Sequence, residues 1–306
     1  MNIKDLQYVV AVAETHHFGR AAERCHVSQP TLSGQLKKLE ESLGITLFER
    51  TNRSVEITTI GVAVVEHAHR ILEQTEAIMQ LAAAHQDPLA GPLRIGVIPT
   101  LSPYLMPLIL ASLKQNFPQF KLVLSEELTD SLLYRLQHHE LDAVLLATSV
   151  DELSLQSIPL FNEPFWLAHP QNHPLSTKTK LTNTDLDNTD LLLLAEGHCL
   201  AKQAMEVCHI KHRPEQGELA DLRAASLETL LQLVAAGFGS TLVPALATSS
   251  PSCRDENIRL RPLNFPNACR TISLVFRSSF PRRQVLDAFA ELLRSKLPSS
   301  VNIMEK

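Results

Sequence analysis

Five cysteines stand in the 306-residue chain, at 25, 199, 208, 253 and 269, and two of them share one helical stretch. In GHCLAKQAMEVC, Cys199 falls at the opening turn and Cys208 at the end. The positive end of a helix favours the thiolate, which is the nucleophilic and oxidisable form of cysteine, and His198 could add positive charge beside it. Read without context, the pair is also compatible with two ordinary cysteines in one helix. Cys208 and His212 are spaced i,i+4 and could form half of a metal site with Cys199 and His209. Zinc ligands come in pairs two to four residues apart, so the nine-residue gap argues against that, and no metal or other cofactor is expected. Cys25 lies among apolar residues and reads as a buried small hydrophobe, while Cys253 and Cys269 fall in loop or strand-edge context. Hydroxyls mark further strand-to-helix junctions: Thr100 and Ser102 before Pro103, and Thr129 before Asp130. Such hydroxyls cap helices or, where several converge, line a ligand crevice.

Much other chemistry is excluded. There are ten glycines and no G-x-x-x-x-G-K-[ST] loop, and Gly237 and Gly239 make only a G-x-G fragment. No H-E-x-x-H zinc helix and no G-x-S-x-G elbow occurs. Five is an odd number of cysteines and does not describe a disulfide scaffold. Hydrophobic residues at 44% and charged residues at 20% describe an ordinary globular chain. No apolar run reaches the roughly 18 residues of a membrane span. Asp5, Gln7 and Glu14 interrupt what would be a signal peptide, so a cytoplasmic, nucleoid-associated protein with no membrane partner is expected. The net charge is −5, so any nucleic-acid surface has to be local.

The elements that could form such a surface come first in the chain. Leu6, Val9, Val10 and Ala13 recur at helical spacing, and Phe18, Ala21, Ala22 and Cys25 form the inward side of a second short helix. A third follows in VSQPTLSGQLKKLEESLG, with Ser28 as N-cap, Pro30 in the first turn, Leu32, Leu36 and Leu39 as buried stripe and Gly44 as stop. Two short helices and a tight turn make a helix-turn-helix, whose second helix enters the major groove. Ser28, Gln29, Pro30, Thr31, Ser33 and Gln35 lie off the leucine stripe at the start of that helix. Lys37, Lys38, Arg50 and Arg53 are placed for phosphate, the arginines on a β-wing in TLFERTNRSVEIT. Residues 1–60 hold equal numbers of basic and acidic side chains, so one copy should bind DNA weakly and several tethered copies are needed.

A means of tethering follows. Val65, Ala68, Leu72, Thr75, Met79 and Ala82 repeat in the a/d pattern of a coiled coil, flanked by Glu66, Arg70, Glu73 and Gln80. The same stripe would also suit a single helix packed on its own domain. Asp87-Pro88 and Gly91-Pro92 mark a hinge. Beyond it, the strand candidates PLRIGVI, KLVLSE, LDAVLLA, FWLAHP, LLLLAE, STLVPAL and ISLVFR alternate with helical stretches, which predicts an α/β fold on largely parallel sheets.

The stretch FGRAAERCHVSQPTLSGQLKKLEESLGITLFERTNRSVEITTIG resembles the winged helix-turn-helix of LysR-type transcriptional regulators. The resemblance implies a winged helix-turn-helix DNA-binding domain at 1–60 and a linker, or dimerisation, helix at 61–87. It further implies an effector domain at 91–303, made of two α/β lobes resembling periplasmic binding proteins: about 91–163 with 268–303, and 164–267. Homotetramers built as dimers of dimers, on double-stranded promoter DNA with RNA polymerase as a further partner, are expected.

GHCLAKQAMEVC, with RIGVIPTLSPYLMP upstream and ASLETLLQLVAAGFGSTLVPALA downstream, is similar to the hydrogen-peroxide-sensing members of that family. This implies that Cys199 is the peroxidatic cysteine, exposed as a thiolate, and that Cys208 resolves it as a disulfide, later reduced by a cellular thiol reductant. His198, Thr100, Thr129 and Arg270 would complete the peroxide site. Nine helical residues separate two Cα atoms by about 13 Å, while a disulfide needs less than roughly 7 Å, so the implied bond requires the helix to unwind. The segment HIKHRPEQGELAD departs from the family pattern in length and in His and Lys content. Three other readings stand beside this one: a regulator of the same architecture with a small organic effector, a metal sensor, and a thiol peroxidase.

Overall fold

Asn2 opens the first helix, α1 (Ile3–Thr15), with a reciprocal cap: its side chain accepts from the Asp5 N–H at 3.0 Å, and the Asp5 carboxylate accepts from the Asn2 N–H at 2.8 Å. The computed structural model describes residues 1–50, 55–84, 91–116, 120–186, 189–209 and 224–304. The chain forms two units, Met1–Asp87 and Pro88–Lys306.

In the first unit α2 (Phe18–Arg24) and α3 (Gln29–Leu43) follow α1. Ser28 caps α3, Pro30 sits in its first turn, and Gly44 ends it at φ +69°, a left-handed conformation that glycine adopts freely. Leu32, Leu36 and Leu39 are buried against Val9, Val12, Phe18 and Ala21. Strands β1 (Phe48–Arg50) and β2 (Val55–Ile57) pair antiparallel as the wing; the wing tip with Arg53, and the side chain of Arg50, lie outside the described residues. Helix α4 (Thr59–Ala84) uses part of the expected seam at home. Val65 joins the core of the three-helix domain, and Ala68 and Leu72 pack with Leu6 and Val10 of α1. The Thr75 hydroxyl turns back to the Ile71 carbonyl at 2.9 Å. Among the described side chains of α4, Ile60, Val62, Ile71, Ile78 and Met79 are exposed, the last two most of all at 68% and 72%; the Ala82 side chain lies outside the described residues. The apolar stripe therefore divides between the domain's own core and an exposed face.

The second unit runs β3 (Gly91–Val97), α5 (Ser102–Asn116), β4 (Phe120–Glu126), α6 (Thr129–Gln137), β5 (Ala143–Leu146), β6 (Leu155–Pro170), α7 (Asn183–Leu186), α8 (Cys199–Val207), α9 (Leu227–Ala235), β7 (Thr241–Pro244), β8 (Ile258–Pro262), β9 (Cys269–Arg277), α10 (Arg283–Lys296) and β10 (Asn302–Ile303). Gly91 and Pro92 belong to β3, paired with Phe120 and Lys121, rather than to a hinge; Asp87 and Pro88 lie outside the described residues. The expectation of largely parallel sheets is corrected. Among the named strands of the described residues, β3 with β4 and β3 with β5 are the parallel pairs, while β5, β6, β7, β8, β9 and β10 enter antiparallel pairings. LLLLAE forms only isolated bridges, Leu191 to Ser240 and Leu194 to Ala224.

The long strand β6 explains the difference. Up to Pro164 it pairs with β9 in one sheet, and from Phe165 it pairs with β7 and β8 in another. Two cores follow from the two sheets. One gathers Leu93, Ile95, Leu105, Leu132, Leu145 and Phe289, and the other Phe165, Leu167, Leu194, Leu200, Leu230 and Val243. The strands that run between them bring Thr100, Glu163 and Arg270 together, with the first residues of α6 and α8, Thr129 and Cys199, beside them.

His169 lies at the far end of β6, fully buried. Its Nδ1 faces the Pro170 carbonyl at 2.8 Å and so must carry the proton, while its Nε2 is buried without a partner. Burial holds its pKa below the ordinary histidine value, helped by His173, Arg261 and Arg259. The unfolded chain takes up a proton near pH 6.5 and the folded site does not, so this contribution is complete above that pH and is lost as the pH falls. Thermal melts should show Tm dropping between pH 7.5 and 5.5, and dropping less in His169→Asn. An undiminished slope in His169→Asn would remove His169 from the account.

Candidate functional site

Gly197 brings the start of α8 against the start of α6. It adopts φ +91°, and a Cβ there would lie 2.8 Å from Leu128 Cδ1, so only glycine permits the approach. Leu128 is the N-cap of α6 and Thr129 its first residue. Cys199, the first residue of α8, thereby meets Thr129, whose hydroxyl is buried with no hydrogen-bond partner of its own yet stands close enough to the sulfur to favour its thiolate.

Helix α8 is shared by the two cores. Leu200, Ala201, Ala204, Val207 and Cys208 pack in the core that contains Phe165 and Leu230, whereas Cys199 packs on the core around β3 and β5. On the same face one turn later, Gln203 Nε2 donates to the Ala147 carbonyl at 2.7 Å, a second tie from α8 to the β5 end. Cys208 is the C-cap, its N–H donating to the Ala204 carbonyl at 3.0 Å, and is 1% exposed. The two thiols sit at opposite ends of a nine-residue helix, in different cores.

The cation of the site is Arg270, on β9. Its Nη1 donates to Thr100 Oγ1 at 2.9 Å and its Nη2 to the Thr100 carbonyl at 3.0 Å. Its Nε donates to Glu163 Oε2 at 2.9 Å in an ion pair buried on both sides. Thr100 is thus held by Arg270 rather than acting as a cap. Across the crevice, the Tyr104 hydroxyl on α5 donates to Glu228 Oε1 on α9 at 2.8 Å, and burial together with that carboxylate pushes the phenol pKa up.

Two expectations are corrected. Cys199 is half-buried rather than exposed, and burial is the largest influence on it, raising its pKa; Arg270, the Thr129 hydroxyl and the N–H groups at the helix start pull the other way. At rest it is a thiol with thiolate-stabilising groups in place. His198 is the N-cap of α8 with no side-chain cap bond. Burial holds its pKa down, and a backbone contact at Ala225 opposes this only in part, so it is neutral at pH 7 and supplies no cation. Arg270 does that. Among the described residues no group of three or more His, Cys, Asp or Glu could hold a metal ion; His212 lies outside them.

The family resemblance grouped Cys199, Thr100, Thr129, His198 and Arg270, but Glu163, Gln203, Tyr104 and Glu228 were missed. Glu163 had a signal, a carboxylate inside the apolar run LFNEPF, and Gln203 another, its i,i+4 spacing from Cys199. Gly197 was readable as a turn residue. Tyr104 and Glu228 are paired only by the tertiary fold.

On α3, Gln29, Pro30, Thr31, Gln35 and Lys37 are exposed and Ser33 is half-buried. Ser28 is engaged locally: its hydroxyl accepts from the Thr31 N–H at 3.3 Å and lies 2.8 Å from the Thr31 hydroxyl. Lys37 stands 3.9 Å from Glu41 on the exposed face.

Residues 3–62 match the family described as bacterial regulatory helix-turn-helix protein, lysR family, and residues 86–298 match the LysR substrate binding domain. The chain is 43% identical over 297 residues to the DNA-binding transcriptional dual regulator OxyR of Escherichia coli K12, covering 97% of this chain and 96% of that one. A solved full-length OxyR variant from Pseudomonas aeruginosa is similar at 37% identity with TM-score 0.82, over 100% of this chain and 98% of that chain. A hydrogen-peroxide-bound OxyR mutant from Corynebacterium glutamicum is similar at 35% identity with TM-score 0.65, over 96% and 92%. With both family models matched in order along the chain, and a near full-length relative at 43% identity, the chain belongs to the LysR family of bacterial helix-turn-helix regulators.

Proposed function

We propose that this chain is a hydrogen-peroxide-sensing transcriptional regulator of the OxyR kind, acting as a switch rather than an enzyme. The observation that carries the reading is the placement of Cys199 and Cys208 at the two ends of α8 in separate cores, with Arg270 and Thr129 gathered at Cys199. Cys199 loses its proton under the influence of Arg270, and its thiolate attacks one peroxide oxygen, breaking the O–O bond. Cys199 becomes a sulfenic acid and the other oxygen leaves as hydroxide, which takes up a proton to become water. The Cys208 thiolate then attacks the Cys199 sulfur and releases the second water as the disulfide forms. Thr100, held by Arg270, and His198, as a neutral imidazole, complete the pocket.

The second thiol arrives only when α8 unwinds. About 13 Å of helical separation must close to under roughly 7 Å. Unwinding removes Leu200, Ala204, Val207 and Cys208 from their core and breaks the Gln203 tie to Ala147. The change is then passed to the DNA-binding unit as a rearrangement of a homotetramer, a dimer of dimers on promoter DNA. Ser28, Gln29, Pro30, Thr31, Ser33 and Gln35 read base edges, with Lys37, Arg50 and Arg53 on phosphate. RNA polymerase is the downstream partner and a cellular thiol reductant restores the dithiol. Relatives named hydrogen peroxide-inducible genes activators support this reading. A regulator that binds promoter DNA acts in the cytoplasm, on the nucleoid; no described helix is long and apolar enough to cross a membrane.

Cys199→Ser should abolish the peroxide-dependent change in DNA footprint, and Cys208→Ser should accumulate a sulfenic acid that dimedone traps and that never becomes an intramolecular disulfide. Peptide maps joining Cys199 to Cys25, Cys253 or Cys269 would contradict the assignment. For assembly, Ile78→Asp with Met79→Asp changes only exposed positions of α4 and should lower the solution mass and weaken operator binding while leaving the melting temperature within a few degrees. Unchanged mass would remove α4 from the interface.

A further inference from the structure

Glu163 is a fully buried carboxylate on β6, one residue before the strand leaves one sheet for the other. Both its oxygens are engaged. Oε2 accepts from Arg270 Nε at 2.9 Å, and Oε1 accepts from the Leu246 N–H at 2.8 Å in the turn after β7. The same guanidinium holds Thr100 through two further nitrogens and is the charged group acting on Cys199. A buried cation is costly without a counter-charge, and a buried cation facing a thiol draws it toward the thiolate. One carboxylate therefore does two things here: it fixes the direction of the arginine and cancels part of its charge.

We propose that Glu163 is a positioning residue of the thiol site, fixing Arg270 against Thr100 and setting how much of the guanidinium charge reaches the Cys199 sulfur. The inference rests on the reading of Cys199 as the reacting thiol. It extends the site to a carboxylate on β6 and makes the pairing of Glu163 with Arg270, between β6 and β9, part of the sensor.

The substitution Glu163→Gln separates charge from shape. The amide keeps one acceptor oxygen, and the charged Arg270 donor takes it, because charge-assisted hydrogen bonds are about twice as strong as neutral ones. The amide nitrogen is left facing the Leu246 N–H. Arg270 stays in place with its charge no longer offset.

The measurement is the rate of iodoacetamide alkylation of Cys199 as a function of pH, read by peptide mass spectrometry on the full chain. In Glu163→Gln the midpoint should fall by about one unit, and in Arg270→Gln it should rise, both within the one to three units expected from a neighbouring opposite charge. A midpoint in Glu163→Gln that is unchanged or raised overturns the proposal. Should that variant not fold, Glu163→Gln with Arg270→Gln carries the test, because two neutral amides can face each other in the same space. Its midpoint should stay within about half a unit of the parent, since the two charges offset each other. A rise of a full unit or more would mean that Glu163 offsets nothing. Alkylation needs neither peroxide nor DNA, so failure here leaves the peroxide-sensing reading standing, whereas failure of the Cys199→Ser footprint would remove the sensing role without altering the charge balance that alkylation reads at Cys199.

Discussion

The rise of an α-helix, about 1.5 Å per residue, is the constraint on which the rest of this structure depends. It keeps Cys199 and Cys208 apart for as long as α8 is folded. What keeps α8 folded is tertiary packing, because a nine-residue helix is marginal alone in water. Leu200, Ala204 and Val207 anchor it in one core, and Cys199 and Gln203 tie its outer face to the other. Burying a leucine or valine is worth about 1.5–3 kcal/mol, so a few such contacts hold the dithiol state without making it permanent. In the proposed mechanism this helix is the bistable element.

Reactivity at Cys199 follows from opposing effects of similar kind. Burial, the larger, keeps the thiol protonated; Arg270, Thr129 and the helix start favour its ionised form. An exposed thiolate would meet every electrophile in solution. A half-buried thiol that ionises only beside a fixed cation is shielded from most of them. Glu163 belongs to the same balance, since the charge reaching Cys199 is that of a paired guanidinium.

The local parts of this architecture were legible in the residues. Ser28, Pro30 and Gly44 bound α3 because caps and left-handed stops act within a turn or two of chain, and the leucine stripe followed from periodicity. Strand direction was not legible. Antiparallel pairing of β6 and β9 joins residues more than a hundred positions apart, as Glu163 and Arg270 are. The exposure assigned to Cys199 failed for a related reason: helix position predicts the local dipole, but desolvation comes from the opposite lobe. The seam of α4 was read correctly as apolar, yet an apolar stripe does not name what covers it, and α1 takes its first half. Resemblance to a family supplied the residues of the thiol site; periodicity and spacing alone left Cys199 and Cys208 as either a redox pair or two ordinary cysteines.

Amide hydrogen exchange across residues 199–208, before and after stoichiometric peroxide, tests the central claim most directly. The account predicts protected amides in the dithiol protein, from α8 and its cap, and loss of that protection in step with the Cys199–Cys208 disulfide. Protection that survives in protein shown by mass spectrometry to carry that disulfide would mean the bond forms on an intact helix, and the constraint proposed here would be wrong.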